Sequence, residues 1–521
     1  MTTSRAAHGE VPVALEKKYF LLTGKNGVLD TTTTGDIDET FRQLGTQSNI
    51  IFYFHGGLVS KHAGLDGAAR LLPRFLSITA YPVFFVYESG FLEIVSRNLT
   101  DIAGEDVFKA LLRRLLKYTV SKLRDPFGAK GLTSVPPTDI ELHTELVRRD
   151  AGDEPFLQEP IDRAVSPVTE SEERDLREEL RKDNDLMQSL EAIGTDPQPT
   201  ATTTFNTRGL GTRTRKSART LMSPDVVDEI KVDVADAQAQ GSRGVLTTAT
   251  LLYRAGKILV RIIGRFRDQR DHGIYPTVVE EILREFYVAN IGTAVWEAIK
   301  SETFDTFVDV PGQDRGGVCV LDRLGALLNS TPHNKWPRIS LVGHSTGGVF
   351  INNLLAAVSQ RKQSGTFPRD FSFEHIVFLA PACTFWAFDN SIQFYNRLFS
   401  SFRVFGMTDA SECKDAIVPL VYTRSLLYFV SGLLEKGADG KPCADVPLVG
   451  MQRFYSHADV YAAATESAVR NFVIDSTLAP AARRWVWSPS NDGNGLNSQS
   501  LKHGDFHDDP STLDSVLNIL R

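Results

Sequence analysis

At 521 residues the chain is long enough to bury a large core, and its net charge of −7 gives no overall positive field to recruit nucleic acid. Hydrophobic residues at 42% and charged residues at 23% fit a globular protein, and no apolar run reaches the roughly eighteen residues of a membrane span. Four scattered cysteines, with neither a CxxC pair nor a Cys/His spacing, exclude a disulfide framework and a zinc site.

The N-terminal stretch lacks the apolar segment of a secretory signal, which leaves a cytoplasmic location as the default expectation. Short runs rich in β-branched and aromatic residues, bounded by turn residues, then predict strands over 19–22, 50–54 and 83–87. Residues 99–124 read as helix, with Lys109, Arg113, Arg114, Lys117, Lys122 and Arg124 on one side. From 126 to 244 the composition shifts to charge runs and Thr/Pro/Gly-rich stretches, such as 170–182 and 195–204. Exposed helix and disordered linker are expected there. Helical periodicity returns at 251–267, 277–307 and 317–329. Strands at 339–342, 376–379 and 402–405 follow, with helices at 348–360 and 511–520.

Strands without period-2 alternation, separated by helices, predict an α/β fold with a doubly wound, mostly parallel sheet. The core is expected in two parts, 15–98 and 311–521, around a helical insertion or lid at 99–310.

The strongest motif is Gly343-His344-Ser345-Thr346-Gly347, set between the 339–342 run and an apolar helix. A nucleophile on so tight a strand-to-helix turn needs neighbours without bulk two positions either side, and Gly343 and Gly347 meet that demand. The turn lifts the Ser345 hydroxyl above the sheet edge, at a helix N-terminus that favours negative charge. Upstream, a strand ends in His55-Gly56-Gly57. A glycine loop there can aim backbone N–H groups at a developing oxyanion, so Gly56, Gly57 or Leu58 is expected to act with the Thr346 amide.

Phe54-His55-Gly56-Gly57 followed by Gly343-His344-Ser345-Thr346-Gly347 resembles the α/β-hydrolase superfamily, above all its lipases and esterases. The resemblance covers about half the chain, residues 15–95 and 335–521; the long separation of the two motifs departs from the usual pattern. It implies the order nucleophile, acid, histidine. His503, in a polar loop before the last helix, is the expected base, with His507 and then His457 behind it. Asp409, after the 402–405 strand, is the expected acid and Asp415 its competitor; Asp389 is weaker. Glu88 and Cys383 also follow strand ends and read as a loop carboxylate and a packing residue.

The resulting expectation is a serine hydrolase acting on a small-molecule or lipid ester, or a related acyl bond, with no metal and no organic cofactor. The alternatives are a catalytically silent fold serving as a binding scaffold, and an acyltransferase. The basic helical stretches at 109–124 and 254–270 raise peripheral membrane contact as a further expectation. Substrate identity, oligomeric state and the role of 126–244 are open at this level.

Overall fold

The computed structural model describes residues 15–57, 60–87, 90–124, 137–150, 153–157, 166–188, 201–207, 211–217, 220–239, 245–288, 290–437, 439–440 and 443–521. Seven strands form one sheet: β1 (Phe20–Thr23), β2 (Asn49–Phe54), β3 (Tyr81–Tyr87), β4 (Arg338–His344), β5 (Phe373–Leu379), β6 (Phe399–Met407) and β7 (Trp485–Ser488). Their order is β1-β3-β2-β4-β5-β6-β7, and every neighbouring pair is parallel.

Both faces are apolar, which is why the strand sequences show no alternation. Ile50, Phe52 and Phe54 join one core with Phe350, Ile351 and Leu354 of the helix Gly347–Ser364. Ile51 and Tyr53 join the opposite core, packed by Leu71 and Phe75 of the helix Lys61–Leu76 and by Val516 and Leu517 of Pro510–Leu520. The molecule is thus an α/β fold with helices on both sides of a parallel sheet.

The order places the site. The helix after β2 covers one face and the helix after β4 covers the other, although β2 and β4 are neighbours with Phe54 opposite Gly343. Connections that diverge from adjacent strands open a crevice beyond their carboxyl ends, where ligands bind in open α/β sheets.

Three sequence expectations change. β7, a four-residue edge strand, is absent from the predicted strands. The helical stretch at 99–124 is two helices, Phe91–Gly104 and Asp106–Leu123, broken at Glu105, whose backbone is extended. The Glu105 carboxylate is buried and accepts from the Leu221 amide at 2.7 Å, Thr220 Oγ1 at 2.9 Å and the Tyr287 hydroxyl at 3.0 Å. Likewise 277–307 divides into Ile274–Phe286 and Thr293–Asp305, parted at Gly292 with φ 112°.

The middle segment is also more structured than its composition implies. Helices Asp139–Asp150, Glu170–Arg181 and Pro224–Ala239 are present, and Leu142, Leu176, Leu180, Val226 and Ile230 are buried in the main core. Residues 201–204 belong to a strand, Ala201–Thr207, paired with Gly211–Ser217. Residues 195–200, expected as linker, lie outside the described residues.

The basic sides of the insertion helices face carboxylates. Arg254 pairs with Glu229 and Glu285, Arg261 with Glu281 and Glu285, and Arg265 with Glu280 and Glu281. Arg114 and Lys122 pair with Asp183 and Glu172. Among the described residues, no helix is long and apolar enough to cross a membrane.

Glu280 and Glu281 are wholly buried. Burial alone would raise the Glu281 carboxyl, but the Arg284, Arg265 and Arg261 guanidiniums outweigh it and hold it down to about 2. Arg265→Met is expected to destabilise the protein by about 3–5 kcal/mol in urea unfolding, because it strands buried carboxylates. Lys231→Ala, which removes an exposed pair with Asp228, is expected to change stability by less than about 1 kcal/mol.

Candidate active site

Ser345 sits where β4 passes into the helix Gly347–Ser364, with φ +54°. A non-glycine residue in the left-handed region costs about 1–3 kcal/mol and persists only when its surroundings over-determine it. Here they do. The Ser345 amide donates to the Leu379 carbonyl at 2.8 Å, and the Ser345 carbonyl accepts from the Gly348 and Ala382 amides at 3.1 and 3.0 Å. The end of β5 therefore grips the turn. A Cβ on Gly347 would lie 2.3 Å from the Phe54 carbonyl oxygen, and one on Gly343 would lie 2.7 Å from Gly347 backbone. Both positions admit only glycine.

The His55-Gly56-Gly57 loop is tied to this turn by a directed chain of hydrogen bonds. The Gly57 amide donates to Thr346 Oγ1, which bonds the Tyr87 hydroxyl, which donates to the His55 carbonyl at 3.1 Å. The His55 ring fixes the loop from the other side. Its Nε2 accepts from the Tyr87 amide at 3.0 Å, so its Nδ1 carries the hydrogen and donates to the Gly56 carbonyl at 2.6 Å. Of the expected oxyanion donors, Gly57 is thus committed to Thr346, and Leu58 lies outside the described residues. The Gly56 and Thr346 amides have no hydrogen-bond partner among the described residues.

His503 reaches the elbow through His344, to which the sequence motif assigns no role. His344 Nε2 donates to the His503 carbonyl at 3.0 Å, and its ring centroid lies 5.3 Å from those of both His503 and His507. The His503 amide donates to Asp415 Oδ2 at 2.7 Å. Among the described residues, neither nitrogen of the buried imidazole has a hydrogen-bond partner, and the buried Ser345 Oγ has none either. No hydrogen bond joins the two.

The structure does not bring Asp409 to His503. Asp409 opens a short helix, Asp409–Glu412, which turns its carboxylate to accept from the Tyr428 hydroxyl at 2.7 Å. One and a half turns further on, Asp415 is the carboxylate on the His503 loop, and it touches the backbone rather than the ring. Glu412, between them and fully buried, was missed; the spacing 409, 412, 415 was its only signal. Burial, with Asp415 and Asp409 nearby, holds its carboxyl well above the usual range. His507 pairs with Asp508 at 3.2 Å, and His457 Nδ1 bonds the Arg453 carbonyl at 3.1 Å. Asp389 lies in the helix Phe385–Ile392, Cys383 is buried, and Glu88 lies outside the described residues.

A cavity of about 360 Å³ opens beside these groups, bordered by His55, Gly56, His344, Asp415, His503 and His507 on its polar side. Ser345 lies behind Gly56 and His344 and is not itself in the wall. Among the described residues, no group of His, Cys, Asp or Glu is suited to hold a metal ion.

His55, His344 and His503 are held neutral. Burial pulls His55 down to about 4 and His503 down to about 3; His344 is pulled well below its ordinary value by burial and then by the nearness of the His503 and His507 rings. Asp415 is pushed up by burial. Comparisons with protein-family models, with curated proteins and with solved structures each return no match.

Two outcomes follow from this geometry. Gly347→Ala is expected to cost at least about 2 kcal/mol, read by urea unfolding, because backbone must move to admit the methyl group. The buried rings are neutral in the folded state but take up protons below about pH 6.5 when unfolded. Stability is therefore complete above that pH and falls as the pH drops towards 4, by up to roughly 1.4 kcal/mol per pH unit for each ring. Unfolding midpoints at pH 7 and 4.5 measure this, and His503→Gln should flatten the slope.

Proposed function

We propose that the chain is a serine hydrolase of the α/β-hydrolase type that cleaves a carboxylic ester or related acyl bond. The observation that carries the reading is Ser345: a left-handed residue at a helix N-terminus, gripped by the end of β5, whose hydroxyl, like the neighbouring Gly56 and Thr346 amides, has no partner among the described residues. Strain of this kind is kept where it serves a reaction.

In this reading His503 takes the Ser345 hydroxyl proton as the oxygen attacks the carbonyl carbon. The Thr346 and Gly56 amides hold the resulting oxyanion. The alcohol leaves with the proton from His503, and water activated by the same ring releases the acid. His503 is the candidate base because both its nitrogens lack a partner among the described residues. Asp415 steadies the loop that presents it, and His344 ties that loop to the elbow. The Ser345–His503 hydrogen bond is the contact that substrate has to close; such bonds are often long before substrate binds.

One observation favours a second reading, a silent fold used for binding: Ser345 is fully buried and outside the cavity wall. A fluorophosphonate probe separates the two. The hydrolase reading expects labelling of the wild type that Ser345→Ala abolishes, and a wild type that never reacts leaves the binding fold. With ester substrates, His503→Ala is expected to lower kcat/KM by at least about a thousandfold, and Asp415→Asn to cost more than Asp409→Asn.

A further inference from the structure

β3 ends at Tyr87, two positions past Phe85, which lies opposite Phe54 in the sheet register. Its ring enters an aromatic core, 5.6 Å from that of Phe350, and stacks on the His55 imidazole at 4.5 Å. A phenylalanine would pack there as Phe54 and Phe85 do beside it. What tyrosine adds is a hydroxyl, and a buried hydroxyl is costly unless it is bonded. Here it is bonded twice: it donates to the His55 carbonyl at 3.1 Å and so accepts from Thr346 Oγ1. Burial holds the phenol well above its ordinary range, so it keeps the hydrogen it donates.

Peptide geometry gives that bond a consequence. In a trans peptide the carbonyl of one residue and the N–H of the next share a plane and point in opposite directions. The His55 carbonyl and the Gly56 amide are the two ends of one such unit, since the one cis bond among the described residues is Ser488–Pro489. Gripping the carbonyl therefore fixes the direction of the Gly56 N–H. The next unit is held at both ends: the Gly56 carbonyl accepts from His55 Nδ1 at 2.6 Å, and the Gly57 amide donates to Thr346 Oγ1. The Gly56 amide is left without a partner among the described residues. It stands at the elbow, where a Cβ on Gly56 would lie 3.1 Å from Ser345 Cβ.

We infer that Tyr87 is a positioning residue for the oxyanion site: its hydroxyl, linked to that of Thr346, aims the Gly56 amide at the oxygen that becomes negative. The inference rests on the hydrolase reading. A peptide free to turn about its flanking bonds would meet the oxyanion with its N–H misdirected, and a hydrogen bond weakens steeply as its angle closes. The Tyr87 bond also draws charge through the carbonyl, which strengthens the N–H at the other end of the unit as a donor. Because the oxyanion exists only beyond the ground state, the effect falls on kcat and spares KM.

The test uses the full chain and p-nitrophenyl butyrate, with the active fraction counted by end-point fluorophosphonate labelling. Tyr87→Phe keeps the ring and the backbone amide. It is expected to lower kcat about thirtyfold, less than the loss of a whole donor, with KM within about threefold. Thr346→Val should lose as much, and Thr346→Ser, which keeps the hydroxyl, should regain most of it. The double variant Tyr87→Phe, Thr346→Val should be no worse than either single one, because the two hydroxyls act as one chain. If Tyr87→Phe fails to fold, the Thr346 pair carries the test. A trifluoromethyl ketone, whose adduct on Ser345 carries an oxyanion, should bind each slowed variant more weakly by the same factor as kcat/KM, which a loss of active protein alone would not cause. Three results overturn the proposal and leave the hydrolase reading standing: kcat of Tyr87→Phe within about twofold of wild type, a loss confined to KM, or a Thr346→Val faster than wild type because the freed Gly57 amide serves instead. A wild type inert to both ester and probe sinks that reading and this assignment together.

Discussion

The close approach of backbone to backbone where β4 leaves the sheet governs the architecture around Ser345. With the Gly347 position pressed against the Phe54 carbonyl, the helix Gly347–Ser364 has to start directly over the end of β2. Ser345 is then forced into the left-handed region, and the end of β5 fastens it there through both its amide and its carbonyl. Three strand ends and one glycine loop thereby form a single rigid unit. The cost of an unfavourable φ/ψ at one residue is offset by bonds from several others, which is the arrangement expected where geometry matters more than local comfort.

The same unit sets the electrostatics. Four histidines border one cavity, and the three whose protonation is shifted by burial all favour the uncharged ring. Two of those rings, His55 and His344, spend a nitrogen on positioning backbone carbonyls. His503 spends none. The division of labour comes from hydrogen-bond accounting: a ring used as a strut cannot also exchange protons with a substrate, and only one of the three is uncommitted at both nitrogens.

Much of this was legible in the sequence, and the rest was hidden for identifiable reasons. The elbow could be read because its glycines are sterically forced, and six of the seven strands because burial on both faces makes them unbroken apolar runs. β7 was missed, although β1, an edge strand of the same length, was read. Asp409 outranked Asp415 because sequence shows the distance from a strand end but not the short helix that turns Asp409 onto Tyr428. His344 carried no signal beyond its place in the motif, since its partner is a backbone carbonyl 159 positions away. In the middle segment the few buried leucines, such as Leu176 and Leu180, were hidden because they are sparse among charges, and those charges find partners on helices distant in sequence.

The buried ion pairs of the insertion bear on how a ligand could enter. His272 lies between Glu280 at 2.7 Å and Asp445 at 3.0 Å, while Tyr422 donates to Glu280 and Arg453 pairs with Asp445. His272 and Glu280 belong to the insertion; Tyr422, Asp445 and Arg453 belong to the carboxyl-terminal part of the chain. Swinging these helices away would strip the His272 and Tyr422 hydrogen bonds from the buried Asp445 and Glu280 carboxylates, at about 1–3 kcal/mol for each. The insertion is therefore riveted in place: it behaves as a buttress and not as a hinged cover, and traffic to the cavity has to pass by its own rim, where Ala63 and Lys502 meet solvent.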